Sequence, residues 1–143
     1  MCTSEGFADA NGVSLRYALA GRGCSVVLLH ELGGTLNSWD GVAPQLAAHF
    51  RVLRYDQRGA GLSEKVRHEF TNDMLVEDFE ALAAALALSP PYHFVTVAAA
   101  ATQALRFAEK YPDRVSALVL CNPAPGPIRL IVFSDCKGHA LAT

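Results

Sequence analysis

Asp56-Gln-Arg-Gly-Ala-Gly-Leu-Ser63 combines four polar side chains with two closely spaced glycines. Glycines at this spacing are typical of a tight turn. The turn follows Phe50-Arg-Val-Leu-Arg-Tyr55, which has the length and apolar content of a strand. An earlier run, Ser25-Val-Val-Leu-Leu-His30, is apolar almost throughout, as expected of a strand buried on both faces. The sequence therefore predicts buried strands that end in polar turns.

Strand-like and helix-like segments alternate along most of the chain. The predicted strands are 13–18, 25–30, 50–55, 92–97 and 115–120. The predicted helices are 39–49, capped by Ser38, 74–86, capped by Asp73, and 101–110. Such alternation implies a mostly parallel sheet with helices on both faces, which is the α/β fold class.

The composition indicates a packed chain that is long enough for one domain and too short for two ordinary ones. Of its 143 residues, 51% are apolar and 18% are charged, and the net charge is -2. No basic run indicates binding to nucleic acid or to a membrane surface. The apolar segment Leu82–Leu88 is stopped by Pro90 and Pro91 far short of a membrane span. The N-terminal segment lacks the pattern of a signal peptide, so a cytoplasmic location is expected.

The cysteines give no indication of a metal site. They are Cys2, Cys24, Cys121 and Cys136, without CxxC spacing or a histidine at metal-ligand distance. In a cytoplasmic protein we expect them to be reduced thiols rather than a disulfide. The sequence therefore predicts no metal and no cofactor.

Four features resemble the α/β-hydrolase family, in its order and at its spacing, from about Val13 to Pro125. His30-Glu-Leu-Gly-Gly34 corresponds to the family motif H-G-x-G-G, and residues 56–63 correspond to D-x-R-G-x-G-x-S. Thr96-Val-Ala-Ala-Ala100 lies where the family has G-x-S-x-G. Ala108–Val115 and Leu118–Pro123 correspond to the family's Y/H-P-x-R-V turn and its sixth strand. The resemblance implies an α/β-hydrolase fold. Within the family, the chain looks similar to small-molecule esterases and enol-lactonases, so its ligand would be a small ester or lactone.

The resemblance also implies a nucleophilic serine on a sharp strand-to-helix turn, but this chain has Ala98 there. A methyl group cannot attack a carbonyl carbon, and the hydroxyls of Thr96 and Thr102 do not fall at the apex of the turn. The small flanking residues permit a sharp turn, whereas the alanine run 98–101 favours plain helix and a relaxed turn. We expect a catalytically inactive family member; the alternatives are a small-molecule-binding protein or an incomplete, truncated hydrolase fold.

The family's oxyanion hole uses two backbone N–H groups, which correspond here to those of Leu32 and Ala99. Backbone donors survive side-chain changes, so the hole can persist; the alternative is that this segment is only a tight loop. Glu31 replaces a family glycine and places its carboxylate either at the pocket mouth, where it would disfavour anions, or in solvent. The expected pocket loop contains His30, Glu31, Gly33 and Gly34.

Four further residues have structural interpretations. Asp56 and Arg58 are expected to brace their turn rather than to act in catalysis. Trp39 is expected to be a core anchor rather than a binding residue. An enzyme that removes a proton from its substrate would need His30 as its base, but in the family this histidine supports the loop.

The chain divides into a partial α/β-hydrolase domain at 1–125 and a tail at 126–143 with one possible extra strand. The resemblance covers only the family's front half, because no acid-bearing strand follows. Residues 129–139 resemble the family's final strand and its Gly-His loop, which makes His139 a candidate base. The connection at 123–127 is too short for a parallel crossover, so an antiparallel strand is expected. His139 would then leave the sheet at the wrong end, as a solvated tail residue.

Strand 115–120 would form an edge of the sheet if no later strand followed. An exposed apolar edge favours pairing with another molecule. Self-association through this strand is therefore expected, unless residues 128–133 fold back over it.

Overall fold

A computed structural model describes residues 3–121 and the strand at 129–132. The strands are β1 (Thr3–Ala10), β2 (Val13–Ala20), β3 (Ser25–Leu29), β4 (Arg51–Tyr55), β5 (Tyr92–Val97), β6 (Val115–Cys121) and β7 (Arg129–Val132). The helices are α1 (Ala43–Ala47), α2 (Asn72–Ala85) and α3 (Ala100–Lys110), with 3-10 turns at Leu36–Trp39 and Pro112–Arg114. Within this part of the chain, the sheet order is β1-β2-β4-β3-β5-β6-β7. The central strands β4, β3, β5 and β6 run parallel, which confirms the predicted α/β fold class.

Helices α2 and α3 cover one face of the sheet through a cluster of buried aromatic rings. Phe79 of α2 lies edge-on to Phe94 of β5 and to Phe107 of α3, with ring centroids 5.1 and 5.2 Å apart. Such pairs add to the free energy gained by burying the rings. On the other face, Trp39 packs in one cluster with Leu28 and α1, as predicted for a core anchor. The rings fix α3 against β5, so that α3 begins where β5 ends.

The sequence does not predict strand β1, which pairs antiparallel with β2. Most β1 side chains are exposed, so no alternation of apolar residues marks the strand. The connecting turn has a positive φ at Asn11 (51°) and at Gly12 (78°), the hairpin geometry that an Asn-Gly pair favours. That pair is the signal from which the hairpin can be recognised.

The predicted helix at 39–49 is wrong, because the segment forms a 3-10 turn followed by the short helix α1. The side chain of Thr35 caps the 3-10 turn, and Ser38 completes the capping box instead of acting as the cap. Pro44 has no N–H to donate and clashes with a preceding helical turn. α1 therefore begins with Pro44 in its first turn.

The other predicted elements are found within two residues of their expected ends. The cap of α2 is Thr71 rather than Asp73, because Thr71 Oγ1 accepts a hydrogen bond from the Met74 N–H at 3.2 Å. Asp73 instead lies in the first turn, where its charge complements the helix dipole. In the described residues, no helix combines the length and apolarity needed to cross a membrane.

Strand β7 lies antiparallel to β6, with Leu120 opposite Arg129. This confirms the direction predicted from the short connection. β6 is paired on both sides, by β5 and by β7, as in the alternative in which residues 128–133 fold back over it. Self-association through strand 115–120 stays a prediction, as does the division at residue 125. His139 lies outside the described residues.

Cys24 is disulfide-bonded, so the prediction of reduced thiols is wrong for this residue. Cys121, at the end of β6, is a free thiol. A disulfide requires two Cα atoms to come within about 4–7 Å of each other, which spacing along the sequence does not reveal. Disulfides are unusual in reducing compartments. The cytoplasmic location stays a prediction.

Candidate functional site

Asp56, the first residue after β4, holds two loops together from a fully buried position. Its Oδ1 accepts a hydrogen bond from the Leu36 N–H at 2.7 Å, and its Oδ2 accepts one from the Leu62 N–H at 2.9 Å. Arg16 Nη1 lies 3.5 Å from Oδ2 and offsets its charge. Ser63 Oγ donates to the Asp56 carbonyl at 2.5 Å. Both carboxylate oxygens are thus engaged with the backbone, an arrangement suited to bracing the turn.

Arg58 forms a buried ion pair with Asp78 of α2. The guanidinium donates to both carboxylate oxygens, from Nε at 2.9 Å and from Nη2 at 2.8 Å. Asn11 donates to the same carboxylate at 2.9 Å, and its carbonyl accepts from Arg58 at 3.3 Å. Hydrogen bonding to Asp78 raises the pKa of Arg58 further. Sequence analysis misses Asp78; the available signal is an acidic residue directly before Phe79 on the inner face of α2.

His30, directly after β3, is buried and has both ring nitrogens engaged. Nε2 accepts from the Gln57 N–H at 2.9 Å, so Nδ1 carries the proton and donates to the Glu31 carbonyl at 2.8 Å. The Gln57 side chain donates in turn to the His30 carbonyl at 3.1 Å. His30 therefore ties the loop after β3 to the motif after β4. It could take a proton from a substrate only by breaking these bonds.

The Glu31 side chain folds over the loop after β3 instead of extending into solvent. Its Oε1 accepts from Ser38 Oγ at 2.9 Å, and a Cβ at Gly34 would overlap the carboxylate. The Gly34 N–H donates to the Glu31 carbonyl at 2.9 Å, and the intervening Gly33 has a φ of 80°. The loop is thus a tight turn that presents a carboxylate to the cavity described below.

The turn between β5 and α3 has a strained backbone conformation at Ala98. Its φ is 53°, in the left-handed region that costs a non-glycine residue about 1–2 kcal/mol. The Ala98 N–H donates to the Cys121 carbonyl at 3.0 Å, and its own carbonyl accepts from the Ala101 N–H at 3.2 Å. The turn is therefore sharp, and the relaxed alternative is wrong. Thr96 is fully buried and Thr102 does not border the cavity, so neither hydroxyl replaces the missing nucleophile.

A cavity of about 450 Å³ opens where β3, β4 and β5 end. The loops that follow these strands form its walls, as expected at the carboxyl edge of a parallel sheet. Both residues predicted to supply oxyanion donors border the cavity: Leu32, which is 90% exposed, and Ala99, the N-cap of α3. Within the described residues, no three His, Cys, Asp or Glu side chains are grouped as a metal site would require.

Gln103 of α3 is a buried residue of the cavity wall that sequence analysis misses. Its Nε2 donates to the Tyr55 hydroxyl at 3.1 Å and to the Leu75 carbonyl at 3.2 Å. Burial raises the pKa of Tyr55, so this hydroxyl stays protonated at neutral pH. Arg106 also borders the cavity and pairs with Asp73 at 3.1 Å. The available signal is a glutamine among the small and apolar residues of the inner face of α3.

The sequence model of the alpha/beta hydrolase fold family matches residues 25–142. This match spans the loops after β3 and β4, the sharp turn at Ala98 and the helix that follows it. The chain belongs to the α/β-hydrolase family. Its membership explains why the loops after three neighbouring strands converge on one cavity, which Leu32 and Ala99 border.

The relatives of this α/β-hydrolase act on several kinds of small molecule. The 2-hydroxy-6-oxo-6-(2'-aminophenyl)hexa-2,4-dienoic acid hydrolase of Metapseudomonas resinovorans is 32% identical over 123 residues, which are 84% of this chain and 42% of that protein. A haloalkane dehalogenase from Agrobacterium tumefaciens C58 matches with a TM-score of 0.77 and 27% identity, over 85% of this chain and 41% of its own. A meta-cleavage product hydrolase from Pseudomonas fluorescens IP01, solved as a serine-to-alanine mutant complexed with acetates, matches with a TM-score of 0.76 and 27% identity, over 83% and 45%. The chain thus spans about two fifths of the length of its curated relative.

Replacing Ala98 by glycine is expected to stabilise this α/β-hydrolase by about 0.5–1 kcal/mol. Glycine adopts a positive φ without the Cβ penalty, although its freedom in the unfolded chain offsets part of the gain. The matched control is Ala84→Gly, at an exposed position in α2, which should cost about 1 kcal/mol. Urea unfolding measures both changes. A loss of stability for Ala98→Gly would contradict the left-handed conformation of the turn.

Proposed function

We propose that this α/β-hydrolase binds a small ester- or lactone-like molecule in its cavity without hydrolysing it. The observation that carries the proposal is Ala98. The turn is as sharp as a nucleophile requires, with a φ of 53°, and the next residue, Ala99, borders the cavity. The side chain at its apex is nevertheless a methyl group. Acyl transfer of the family's kind needs an attacking oxygen at this point.

Apart from Glu31, whose carboxylate would have no hydroxyl or thiol at Ala98 to activate, the groups that could replace the missing chemistry are already engaged. Among the described residues bordering the cavity, His30 is the only imidazole, and it is bonded through both nitrogens. Asp56 accepts from two backbone N–H groups, and Arg58 is paired with Asp78. A general base requires a nitrogen or oxygen that is free to take the proton. These contacts support a cavity that does not turn its ligand over.

Binding has support of its own. The N–H groups of Leu32 and Ala99 are the donors that would hold a carbonyl oxygen. Leu32, Phe70 and Leu75 supply apolar walls. The volume of about 450 Å³ lies within the usual range for small-molecule sites, roughly 300–1,000 Å³. A small ester or lactone offers the matching combination of one carbonyl group and an apolar body.

The test uses the purified chain with p-nitrophenyl acetate, methyl benzoate and a serine-directed fluorophosphonate. We expect no hydrolysis of p-nitrophenyl acetate above the buffer rate, no added mass from the phosphonate, and a higher unfolding midpoint with excess methyl benzoate. Turnover that the phosphonate abolishes would contradict the proposal. Broad NMR lines, dye binding and no ligand effect would favour the alternative of an incomplete fold.

A further inference from the structure

Strand β1 forms one end of the sheet, and its outer edge is unpaired within the described residues. The strand order begins with β1, whose one neighbour in this part of the chain is β2. The strand is eight residues long, keeps a single register with β2 and contains no proline or lysine. A regular edge of this kind offers a row of N–H and C=O groups to a further strand.

The hairpin turn determines which backbone groups point to this open edge. Ala10 and Val13 lie opposite each other across a two-residue loop, in which Asn11 and Gly12 both have a positive φ. In such a hairpin the closing pair exchanges both backbone hydrogen bonds, and bonded pairs then recur at every second residue. Residues 4, 6, 8 and 10 therefore bond to β2. The N–H and C=O groups of residues 3, 5, 7 and 9 point away from it.

The side chains of the same odd-numbered residues share one face of the sheet, because side chains alternate along a strand. All four are exposed, and Phe7 is 60% exposed. Glu5, Phe7 and Asp9 thus present a carboxylate, an aromatic ring and a second carboxylate at every second position. The open edge therefore has a pattern of charge and apolar surface beside its backbone groups.

Neither carboxylate of this pattern has a basic partner in the part of the chain that the structure describes. Ala18 and Ser14 lie opposite Glu5 and Asp9 on β2. Arg16 lies between them, but its Nη1 is 3.5 Å from the buried carboxylate that follows β4. No other described lysine or arginine forms an ion pair with Glu5 or Asp9. Both charges are therefore available to a strand that adds to the edge.

The charges also select among the strands that could add. Two copies of β1 paired antiparallel about Phe7 would set Glu5 of each copy opposite Asp9 of the other. Like charges directly opposite each other destabilise a sheet, whereas opposite charges stabilise it. A strand with basic residues opposite Glu5 and Asp9, and an apolar residue between them to cover Phe7, therefore fits the edge better than a second copy.

We propose that β1 binds an extended peptide segment in which two basic residues flank an apolar residue at alternate positions. The segment adds to the sheet beside β1, as in other cases of strand addition to an open edge. Backbone hydrogen bonds to residues 3, 5, 7 and 9 supply affinity, and the pairs with Glu5 and Asp9 supply specificity. The inference does not depend on the proposed function, because no residue of β1 borders the cavity.

The test uses the full chain, labelled with nitrogen-15, and the peptide acetyl-Thr-Lys-Thr-Val-Thr-Lys-Thr-amide at low salt. Amide hydrogen exchange followed by NMR is the readout. We expect the N–H groups of residues 5, 7 and 9 to exchange fast in the free chain. With free peptide at about ten times its dissociation constant they should exchange about tenfold more slowly, because exchange then proceeds only from the unbound chain. Unchanged exchange at these residues would overturn the proposal.

Two control peptides separate strand addition from general charge attraction. Replacing both lysines by glutamate should abolish the slowing of exchange. The peptide acetyl-Thr-Thr-Lys-Val-Lys-Thr-Thr-amide has the same composition, but its lysines are too close together to lie opposite both Glu5 and Asp9. It should bind about threefold more weakly, the worth of one cross-strand charge pair. Equal binding of the two lysine peptides would overturn the proposed pattern.

Reversing both charges, as Glu5→Lys with Asp9→Lys, should reverse the preference, so that the glutamate peptide binds and the lysine peptide does not. The matched control is Glu77→Lys with Glu109→Lys, at exposed positions of α2 and α3, which gives the same net charge and should keep the original preference. Circular dichroism checks that both variants are folded. An unchanged preference in the folded Glu5→Lys, Asp9→Lys chain would overturn the proposal.

Other occupants of the edge would be detected without any peptide. Slow exchange of residues 5, 7 and 9 that strengthens with protein concentration would identify a second copy of the chain. Slow exchange that is independent of concentration would show that another part of the same chain covers the edge. Either result would overturn the proposal.

Discussion

Asp78→Ala is expected to lower the free energy of unfolding by about 3–5 kcal/mol, the usual cost of removing one partner of a buried ion pair. Asp78 is 1% exposed and Arg58 is 6% exposed, so the remaining guanidinium would be neither solvated nor paired. Asn11 would lose the same acceptor. A domain is typically stable by only about 5–15 kcal/mol, so the variant would be close to unfolding.

Asp73→Ala is the matched control, because Asp73 lies on the same helix and also pairs with an arginine. The side chains of Arg106 and Asp73 are 49% and 71% exposed, and exposed pairs contribute about 0–1 kcal/mol. Asp73 adds a small dipole contribution in the first turn of α2. We expect a loss of about 1 kcal/mol for this variant.

Urea unfolding followed by circular dichroism distinguishes the two variants. A shift in midpoint at constant slope assigns the difference to stability rather than to a change in the unfolded state. Replacing both partners, as Arg58→Met with Asp78→Leu, should recover much of the loss, because apolar side chains often substitute for a buried pair. Equal losses for Asp78→Ala and Asp73→Ala would contradict the buried pair.

The sheet could be predicted from the sequence because its central strands are more apolar than the segments that flank them. Residues 25–29 are apolar apart from Ser25, and in the structure all five are buried. Asp56 could be predicted as a brace for a similar local reason. A carboxylate that directly follows a buried strand and precedes two glycines has backbone N–H groups within reach.

The conformation at Ala98 could not be predicted, because local and tertiary preferences conflict there. An alanine run favours helix, yet the φ of Ala98 is 53°. Its N–H is bonded to the carbonyl of Cys121 on the neighbouring strand, at 3.0 Å. Packing of α3 against β5 then leaves only Ala98 and Ala99 to reverse the chain. Only the positions of these elements in space reveal that strain.

The contacts of Asp78 and Gln103 could not be predicted from the sequence for a different reason: their partners lie far away along the chain. Asp78 pairs with Arg58, 20 residues away, and Gln103 contacts Tyr55, 48 residues away. A single polar residue on the inner face of a helix indicates that a partner exists, since buried polar groups are nearly always bonded. It does not indicate which partner.

Gly61→Ala is expected to cost about 3 kcal/mol or more, and backbone strain explains only part of that loss. At a φ of 51°, alanine costs about 1–2 kcal/mol. The remainder comes from Asp56, whose carboxylate an added Cβ would overlap. The carboxylate cannot move aside without losing the N–H groups of Leu36 and Leu62. Hydrogen bonds to a charged group are worth about 1.5–3 kcal/mol each.

Gly59→Ala is the matched control in the same turn. Its φ is 81°, but a Cβ there would meet Val66 and Phe70 only at 3.6 and 3.7 Å, so backbone strain of about 1–2 kcal/mol is the whole expected cost. Equal losses in urea unfolding would mean that strain alone explains both glycines. A larger loss of stability for Gly61→Ala would show that overlap with the Asp56 carboxylate adds to the cost of backbone strain. Gln57 belongs to the same turn and borders the cavity. Displacement of the turn in Gly61→Ala should therefore also weaken ligand binding, and Gly59→Ala should weaken it less.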